Sequence, residues 1–189
     1  MKRSGINEAI RKASACFKKK GWHLPPESRW DVTDFGLGDF RKYGLVLMNL
    51  TDEKEYCEKL MYGLKDQRTP AHCHRRKKED IIARSGVLIV QVWNKNPDEI
   101  SDPEEFRVKV NGKIRRVKPG DRIRLHSGER ITLAPGIYHE FYSESDDCII
   151  GEISSGNDDL HDNFFVNPDI GRFPNIEEDE PPIAKLLSE

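Results

Sequence analysis

The chain is poor in cysteine and has no pair spaced as CxxC among its 189 residues. In a reducing compartment, such scattered cysteines favour free thiols over disulfides or a zinc knuckle. They are Cys16, Cys57, Cys73 and Cys148. Also missing are an apolar run near the ~20 residues that span a bilayer and, at the N-terminus, the apolar core of a signal peptide. We therefore predict a cytoplasmic protein with no membrane partner.

An excess of charge of either sign is absent as well. Lys and Arg total 31 against 33 Asp and Glu, which gives a formal net charge of -2. This balance offers no general attraction to nucleic acid or to an anionic membrane, so we expect a small-molecule partner. The length suits one domain with a sizeable core. We predict a single domain over 1–189, with a helix and linker in 1–27, a β-barrel in 28–155, and a C-terminal lid and acidic tail in 156–189.

The N-terminal segment carries the helical signal of the chain. Between Ser4 and Lys20, apolar residues recur at helical spacing, with Ser4 as a candidate N-cap and Gly21 just beyond the end. A later segment, 51–63 ("TDEKEYCEKLMYG"), is compatible with a helix or a strand. For its second half we favour an extended strand.

From residue 86 to residue 154 the pattern is that of a β protein. Short apolar-alternating runs are separated by glycine-rich turns, and the pair Asn111-Gly112 is a strong hairpin signal. Many short strands at even spacing are typical of a sandwich or barrel and not of a βαβ fold. The segment from 174 to the C-terminus is acidic and interrupted by prolines, which predicts a solvated extension along the domain or a partner subunit.

Two histidines in "TPAHCHRRKKEDI" suggest half of a metal site. Side chains two apart in a strand project to one face, so His72 and His74 can aim at one point while Cys73 faces away. A reversal within "RRKK" would let Glu79 start the next strand beside the first. His139 follows a Pro-Gly turn in "PGIYHEFY" and is the fourth candidate ligand.

Three imidazoles and one carboxylate suit a divalent transition metal and leave positions for water or substrate. Mn, Fe, Co, Ni and Zn all fit this ligand set. The spacings H-x-H-x4-E-x6-G and P-G-x2-H resemble the two motifs of the cupin superfamily, with Asp66 in place of an expected glycine and Gly128 one residue further than usual from Pro135. The resemblance implies an all-β, cupin-type double-stranded β-helix (jelly-roll barrel) with an N-terminal α-helix and an irregular C-terminal extension. The other three histidines are taken as non-ligands: His23, His126 and His161.

A cupin metal site does not by itself name a reaction. The segments "TPAHCHRRKKEDIIARSG", "GEISSGNDDLHDNFF" and "IGRFPNIEEDEPP" together resemble the D-lyxose isomerase family of cupin aldose-ketose isomerases, roughly over 28–182. That resemblance implies homodimeric, metal-dependent enzymes, commonly preferring manganese, that interconvert D-lyxose with D-xylulose and often D-mannose with D-fructose. Alternatives are a cupin oxygenase that uses Fe with the same ligands, a non-catalytic sugar-binding or storage cupin, and a phosphosugar isomerase, although no glycine-rich phosphate cradle accompanies "RRKK".

An aldose-ketose isomerase moves a proton between adjacent carbons through an enediol, which requires general bases and a stabilised oxyanion. Glu152 is the first candidate base, because it interrupts the apolar strand "CIIGEIS" on the face of Ile150. We expect burial to raise its pKa, opposed by a nearby cation. The family resemblance adds Lys77 and Lys59 as catalytic candidates.

Substrate contacts are predicted mainly from the C-terminal region. Arg172 in "GRFP" can bind sugar hydroxyls through its planar fork, and Lys77 can donate to a sugar oxygen. Asp162 and Glu177 are acidic candidates for which the sequence gives no specific role. We expect residues 156–180 to form a lid that excludes water from the enediol.

Overall fold

The structure is a computed structural model that describes residues 1–101, 104–171 and 175–189. In that part of the chain one α-helix, α1 (Arg3–Lys19), precedes thirteen β-strands, with a short 3-10 turn at Pro97–Glu99. The strands are β1 Trp30–Thr33, β2 Leu45–Asp52, β3 Tyr56–Leu64, β4 Arg68–Cys73, β5 Glu79–Ser85, β6 Val87–Trp93, β7 Phe106–Val110, β8 Lys113–Val117, β9 Asp121–His126, β10 Arg130–Leu133, β11 Tyr138–Ser143, β12 Asp147–Ser155 and β13 Phe164–Phe165.

Two antiparallel sheets form a cupin-like sandwich. The larger sheet has the order β1-β2-β3-β12-β5-β10-β7-β8 and the smaller has the order β13-β4-β11-β6-β9. Strand β9 shows why the sequence builds such layers: Ile123 and Leu125 are buried, whereas Arg122 and Arg124 alternate with them on the exposed face. The predicted all-β fold with one N-terminal helix is therefore confirmed.

Helix α1 covers the outer face of the larger sheet. Its buried stripe includes Ile6, Ile10 and Phe17, and it packs on apolar side chains of β1, β2 and β3. The predicted cap is wrong, because Lys2 occupies the N-cap and Ser4 instead bonds through its N–H and hydroxyl to the carboxylate of Asp179. Within the described residues, no helix is long and apolar enough to cross a membrane.

Two local predictions about strands are confirmed. Residues 56–64 are extended as β3, and the turn at Asn111-Gly112 joins β7 to β8 with φ of +50° and +77° at its two central residues. Positive φ at both positions is the type I′ geometry that matches the twist of a hairpin. Asp66, which stands where the cupin motif expects glycine, adopts φ of +60°. This is a left-handed conformation that glycine adopts readily and that aspartate tolerates better than most residues.

The segments flanking the metal motif differ from the prediction. Strand β5 does not pair beside β4: β4 pairs with β11 and β13, whereas β5 pairs with β10 and β12 in the opposite sheet. The five residues between them, 74–78, are long enough to cross the roughly 10 Å that separates stacked sheets. Glu79 therefore approaches the interior from the sheet facing the histidines.

The C-terminal tail lies along α1 and β1. Glu177 forms a backbone bridge with Lys2, and Leu186 forms one with Trp30 and is 3% exposed. The guanidinium of Arg3 pairs with carboxylates of the tail, at Glu178 and Glu189. The described part of the tail therefore packs on α1 and β1 of its own chain.

Candidate metal centre

Three histidines of the smaller sheet meet at one buried point. His72 of β4 lies directly opposite His139 of β11 in the strand register, and His74 follows the end of β4. One ring nitrogen from each lies within 4.8 Å of the others. From the facing sheet, Oε1 of Glu79 lies 3.0 Å from Nε2 of His139 and 3.5 Å from Nε2 of His74. The three histidines and Glu79 thus converge, and Cys73 does not belong to the histidine cluster.

Backbone carbonyls fix the orientation of each imidazole. The Nδ1 atoms of His72, His74 and His139 donate to the carbonyl oxygens of Pro70, Asp162 and Ile137, at 2.8, 2.6 and 3.2 Å. Since a carbonyl only accepts, Nδ1 carries a proton, which in the neutral imidazole leaves the lone pair on Nε2. Carbonyl partners of this kind orient ligating histidines in metal proteins.

The unsatisfied atoms of the cluster are those that a metal would use. Nε2 of His74, Nε2 of His139 and Oε1 of Glu79 are buried and have no hydrogen-bond partner in the part of the chain that the structure describes. With His139 in the neutral tautomer, its Nε2 and Oε1 of Glu79, 3.0 Å apart, both bear lone pairs, which repel each other unless a cation lies near both. Leaving such groups unpaired costs about 1–3 kcal/mol each. The nitrogen and oxygen donors fit a divalent transition metal.

The protonation states favour metal binding. Burial lowers the pKa of His72 well below its usual value, and the neighbouring His139 and His74 act in the same direction. Burial also lowers the pKa of His74. Burial alone would raise the pKa of Glu79, but the ammonium of Lys77 outweighs burial and holds the pKa well below the ordinary range. Neutral imidazoles and a charged carboxylate are the forms that bind metals.

These pKa shifts predict that the metal-free protein loses stability as pH falls from 6.5 toward 4.5. The unfolded chain takes up protons at His72 and His74 near their ordinary pKa of 6.5, whereas the folded chain does not, so the free energy of unfolding decreases. Each such histidine lowers the free energy of unfolding by up to about 1.4 kcal/mol per pH unit. The lowered pKa of Glu79 causes a further loss of stability at lower pH, below the ordinary glutamate pKa of 4.5, where the unfolded chain takes up a proton that the folded chain does not.

The measurement is urea unfolding with chelator present, across that pH interval. His72→Gln should flatten the dependence, and substitution of the exposed His23 by Gln should leave it unchanged. An unfolding free energy that stays constant between pH 6.5 and 4.5 would contradict the assigned protonation states.

A second charged group adjoins the ligands. Glu152 of β12 is 6% exposed and lies opposite Lys59 of β3 in the strand register, so its side chain points into the interior as predicted. Nζ of Lys77 lies 2.9 Å from Oε1 of Glu152 and 2.9 Å from Oε2 of Glu79. Nζ of Lys59 lies 3.8 Å from Glu152 and 2.9 Å from Oδ1 of Asp159. Lys77 therefore links the candidate base to a candidate ligand.

The expected rise in the pKa of Glu152 is wrong. Burial does raise it, but Lys59 and Lys77 outweigh burial and hold the pKa below the ordinary value. Burial would lower the pKa of Lys77, yet Glu152 and Glu79 raise it overall. At neutral pH the base candidate is thus a carboxylate and Lys77 is an ammonium.

Of the residues predicted to contact substrate, some line the cavity and others do not. Lys77 lines the cavity, whereas the carboxylate of Asp162 bonds to backbone N–H groups of residues 75–77. The side chain of Glu177 is 67% exposed and pairs with Lys2 at the start of α1, outside the cavity lining. Arg172 lies outside the described residues.

The cavity at this centre has a free volume of about 30 Å³, room for one or two water molecules. Sequence reasoning did not identify several of its lining residues, among them Phe35, Asp159, Asn163 and Phe165. The segment "NDDLHDNFF" supplies three of them and was singled out only as a family signature, while nothing local marked Phe35. Because this free volume is small, we expect the lining to move when a monosaccharide enters.

Comparison with known proteins identifies a matching family model, related sequences and a shared fold. A family model described as D-lyxose isomerase matches residues 27–189. The D-lyxose/D-mannose isomerase of Escherichia coli O157:H7 is 37% identical, with 100% of this chain and 98% of that protein covered, and that of Serratia proteamaculans is 36% identical, with 100% and 97% covered. The crystal structure of Cellulomonas parahominis L-ribose isomerase with L-ribose superimposes with a TM-score of 0.68 at 16% identity, covering 94% of this chain and 98% of that one, which shows a shared fold.

Proposed function

The chain belongs to the D-lyxose isomerase family, and we propose that it is a metal-dependent aldose-ketose isomerase that interconverts D-lyxose with D-xylulose and D-mannose with D-fructose. One observation carries the proposal: a charged, buried carboxylate, Glu152, lies beside a converging set of three imidazoles and Glu79 inside one cavity. The relatives named D-lyxose/D-mannose isomerase supply the substrate class.

The residues divide into a metal-holding set and a proton-transfer set. His72, His74, His139 and Glu79 would hold one divalent cation, which when bound supplies positive charge to offset the charge developing on O1 and O2 of the sugar. From aldose to ketose, Glu152 takes the proton from C2, the C2–H electron pair forms the C1=C2 bond of the enediol, and the π pair of the C1=O1 carbonyl moves onto O1. The proton then returns to C1 as the C1=C2 pair forms the new C1–H bond and a lone pair of O2 forms the C2=O2 carbonyl.

Two lysines support this transfer. Lys77 holds Glu152 through its 2.9 Å bond, and as an ammonium it can donate to a sugar oxygen while the hydroxyl proton moves from O2 to O1. Lys59 reaches Glu152 from the other side and is itself held by Asp159. Together the two lysines keep the carboxylate of Glu152 charged and fix its orientation.

We propose that the proximal part of the predicted lid, residues 156–165, covers the cavity. Asp159, Asn163 and Phe165 line it, and β13 pairs with β4 beside His72. The distal part from 175 packs on α1, which is a structural contact away from the cavity. The small free volume supports an opening of the proximal part when sugar enters.

Manganese as the resident metal and a homodimer as the assembly are further parts of the proposal, and both rest on the family resemblance. The ligand set accepts Co, Fe, Ni or Zn as well. The four cysteines are buried free thiols, as the proposed cytoplasmic location permits.

A ketose assay on a panel of aldoses and their phosphates tests the proposed function. With Mn²⁺ added we expect D-xylulose from D-lyxose and D-fructose from D-mannose, both lost in the presence of chelator. Phosphorylated aldoses should react poorly, because the cavity cations Lys59 and Lys77 are already paired with carboxylates.

The same panel separates the alternatives. Turnover without oxygen is expected, and dependence on oxygen would favour a cupin oxygenase. Sugar binding without ketose formation would favour a non-catalytic sugar-binding protein, and either outcome would contradict the isomerase.

A further inference from the structure

Asp162 contacts the metal centre without lining its cavity. Its carboxylate accepts hydrogen bonds from three consecutive backbone N–H groups: Arg75 at 3.0 Å, Arg76 at 3.2 Å and Lys77 at 2.9 Å. The residue is 3% exposed. Three N–H groups converging on one anion form the concave backbone arrangement known from anion-binding loops. Here a side chain of the same protein occupies it.

The same residue also fixes one ligand through its backbone. The carbonyl oxygen of Asp162 accepts the hydrogen bond from Nδ1 of His74 at 2.6 Å. One residue therefore orients the imidazole of His74 and, through its carboxylate, holds the loop that begins at that histidine. The two contacts use different chemical groups, so a side-chain substitution tests one of them separately.

The loop in question joins two candidate ligands that belong to opposite sheets. His74 follows β4, Glu79 begins β5, and the amide groups held by Asp162 lie between them. The last of these amides belongs to Lys77, whose Nζ bridges Glu79 and Glu152. A change of loop conformation would move a ligand and the lysine together.

We propose that Asp162 is a positioning residue of the metal centre: by binding the N–H groups of residues 75–77 it presets the separation of His74 from Glu79 and the direction of Lys77. This role differs from the substrate contact predicted for it. The inference rests on the metal centre of the proposed function but not on the sugar, so it is tested by metal binding alone.

The chain offers a matched control four residues earlier. Asp158 lies in the same segment, but its carboxylate bonds to the side chain of Arg76 and to His161 and makes no bond to the amides of 75–77. Asp158→Asn removes a comparable charge near the same loop. It leaves the amide contacts intact.

The experiment is titration of metal-free protein with Mn²⁺ in the absence of sugar, followed by electron paramagnetic resonance. Asp162→Asn should weaken Mn²⁺ binding about 10- to 100-fold, the range found when an outer partner of a metal ligand is removed. The Mn²⁺ affinity of Asp158→Asn should stay within about twofold of that of the unsubstituted protein, because the amide contacts of residues 75–77 remain. The visible absorption of the Co²⁺-loaded protein should change for Asp162→Asn only, which a general loss of stability would not produce.

A second measurement needs no variant. Hydrogen exchange of the backbone amides of residues 75–77 should be slow in the metal-free, unsubstituted protein. Exchange at the rate of an open loop would overturn the inference, as would unchanged Mn²⁺ affinity in Asp162→Asn or an equal loss in Asp158→Asn. Mn²⁺ binding without any sugar turnover would contradict the proposed function and leave this inference standing.

Discussion

Replacing His139 by alanine is expected to abolish metal binding and ketose formation together while the protein stays folded. His139 supplies one of the four donor atoms, and its Nε2 has no hydrogen-bond partner among the described residues, so that atom makes no contact on which the fold depends. The fold should keep its two sheets when the one imidazole and its Nδ1 bond to Ile137 are removed. A bound metal lowers the reaction barrier by several kcal/mol, so its absence corresponds to a loss of roughly 10³-fold or more in turnover. The same result is expected for His72→Ala.

The measurement combines metal content after dialysis, circular dichroism and a ketose assay. His126→Ala is the matched control, since His126 is an exposed histidine at the end of β9 in the sheet that carries His139. It should retain metal and turnover. If His139→Ala kept its metal at full stoichiometry, the ligand assignment would be wrong.

Glu152→Gln is expected to keep the metal and lose most turnover. The amide has the shape of the carboxylate and its oxygen can still accept from Nζ of Lys77, so the ligands keep their arrangement. An amide cannot take up the substrate proton, and loss of a general base lowers turnover by about 10²- to 10⁴-fold. Metal content should remain close to that of the unsubstituted protein, whereas thermal stability should fall, because the carboxylate that pairs with the buried Lys59 and Lys77 loses its charge.

Glu58→Gln provides the comparison, because Glu58 is on neighbouring β3, is half-exposed and pairs with Arg84 outside the cavity. That change should leave turnover unaffected. Near-normal turnover of Glu152→Gln would remove Glu152 from the mechanism, whereas loss of metal from it would show that the carboxylate acts through the ligands.

The positions of the ligands could be predicted from sequence because they depend on short-range geometry. Alternation along a strand places His72 and His74 on one side, and the turn before β11 places His139 within reach. The sheet to which β5 belongs could not be predicted this way, because alternation specifies a face of a strand but not the partner strands. Glu79 therefore meets the histidines from across the sandwich and not from beside them.

The electrostatics of the site depend on contacts between residues far apart in sequence. Burial of Glu152 followed from its apolar strand, but the opposing charges come from Lys59, about 90 residues earlier, and from Lys77 in the crossing loop. The direction of the pKa shift of Glu152 could be predicted only if the positions of both lysines were known. Asp162 was recognised as an acidic candidate, yet its bonds to amides 75–77 depend on how the segment after β12 folds back.

Titration of the metal-free protein with Mn²⁺, with D-lyxose present and D-xylulose formation followed continuously, tests the central claim most directly. If His72, His74, His139 and Glu79 hold one metal that the reaction requires, turnover should rise from baseline in proportion to bound Mn²⁺ and stop rising at one ion per chain. Full D-xylulose formation by metal-free protein in chelator, or bound Mn²⁺ without any D-xylulose, would contradict it.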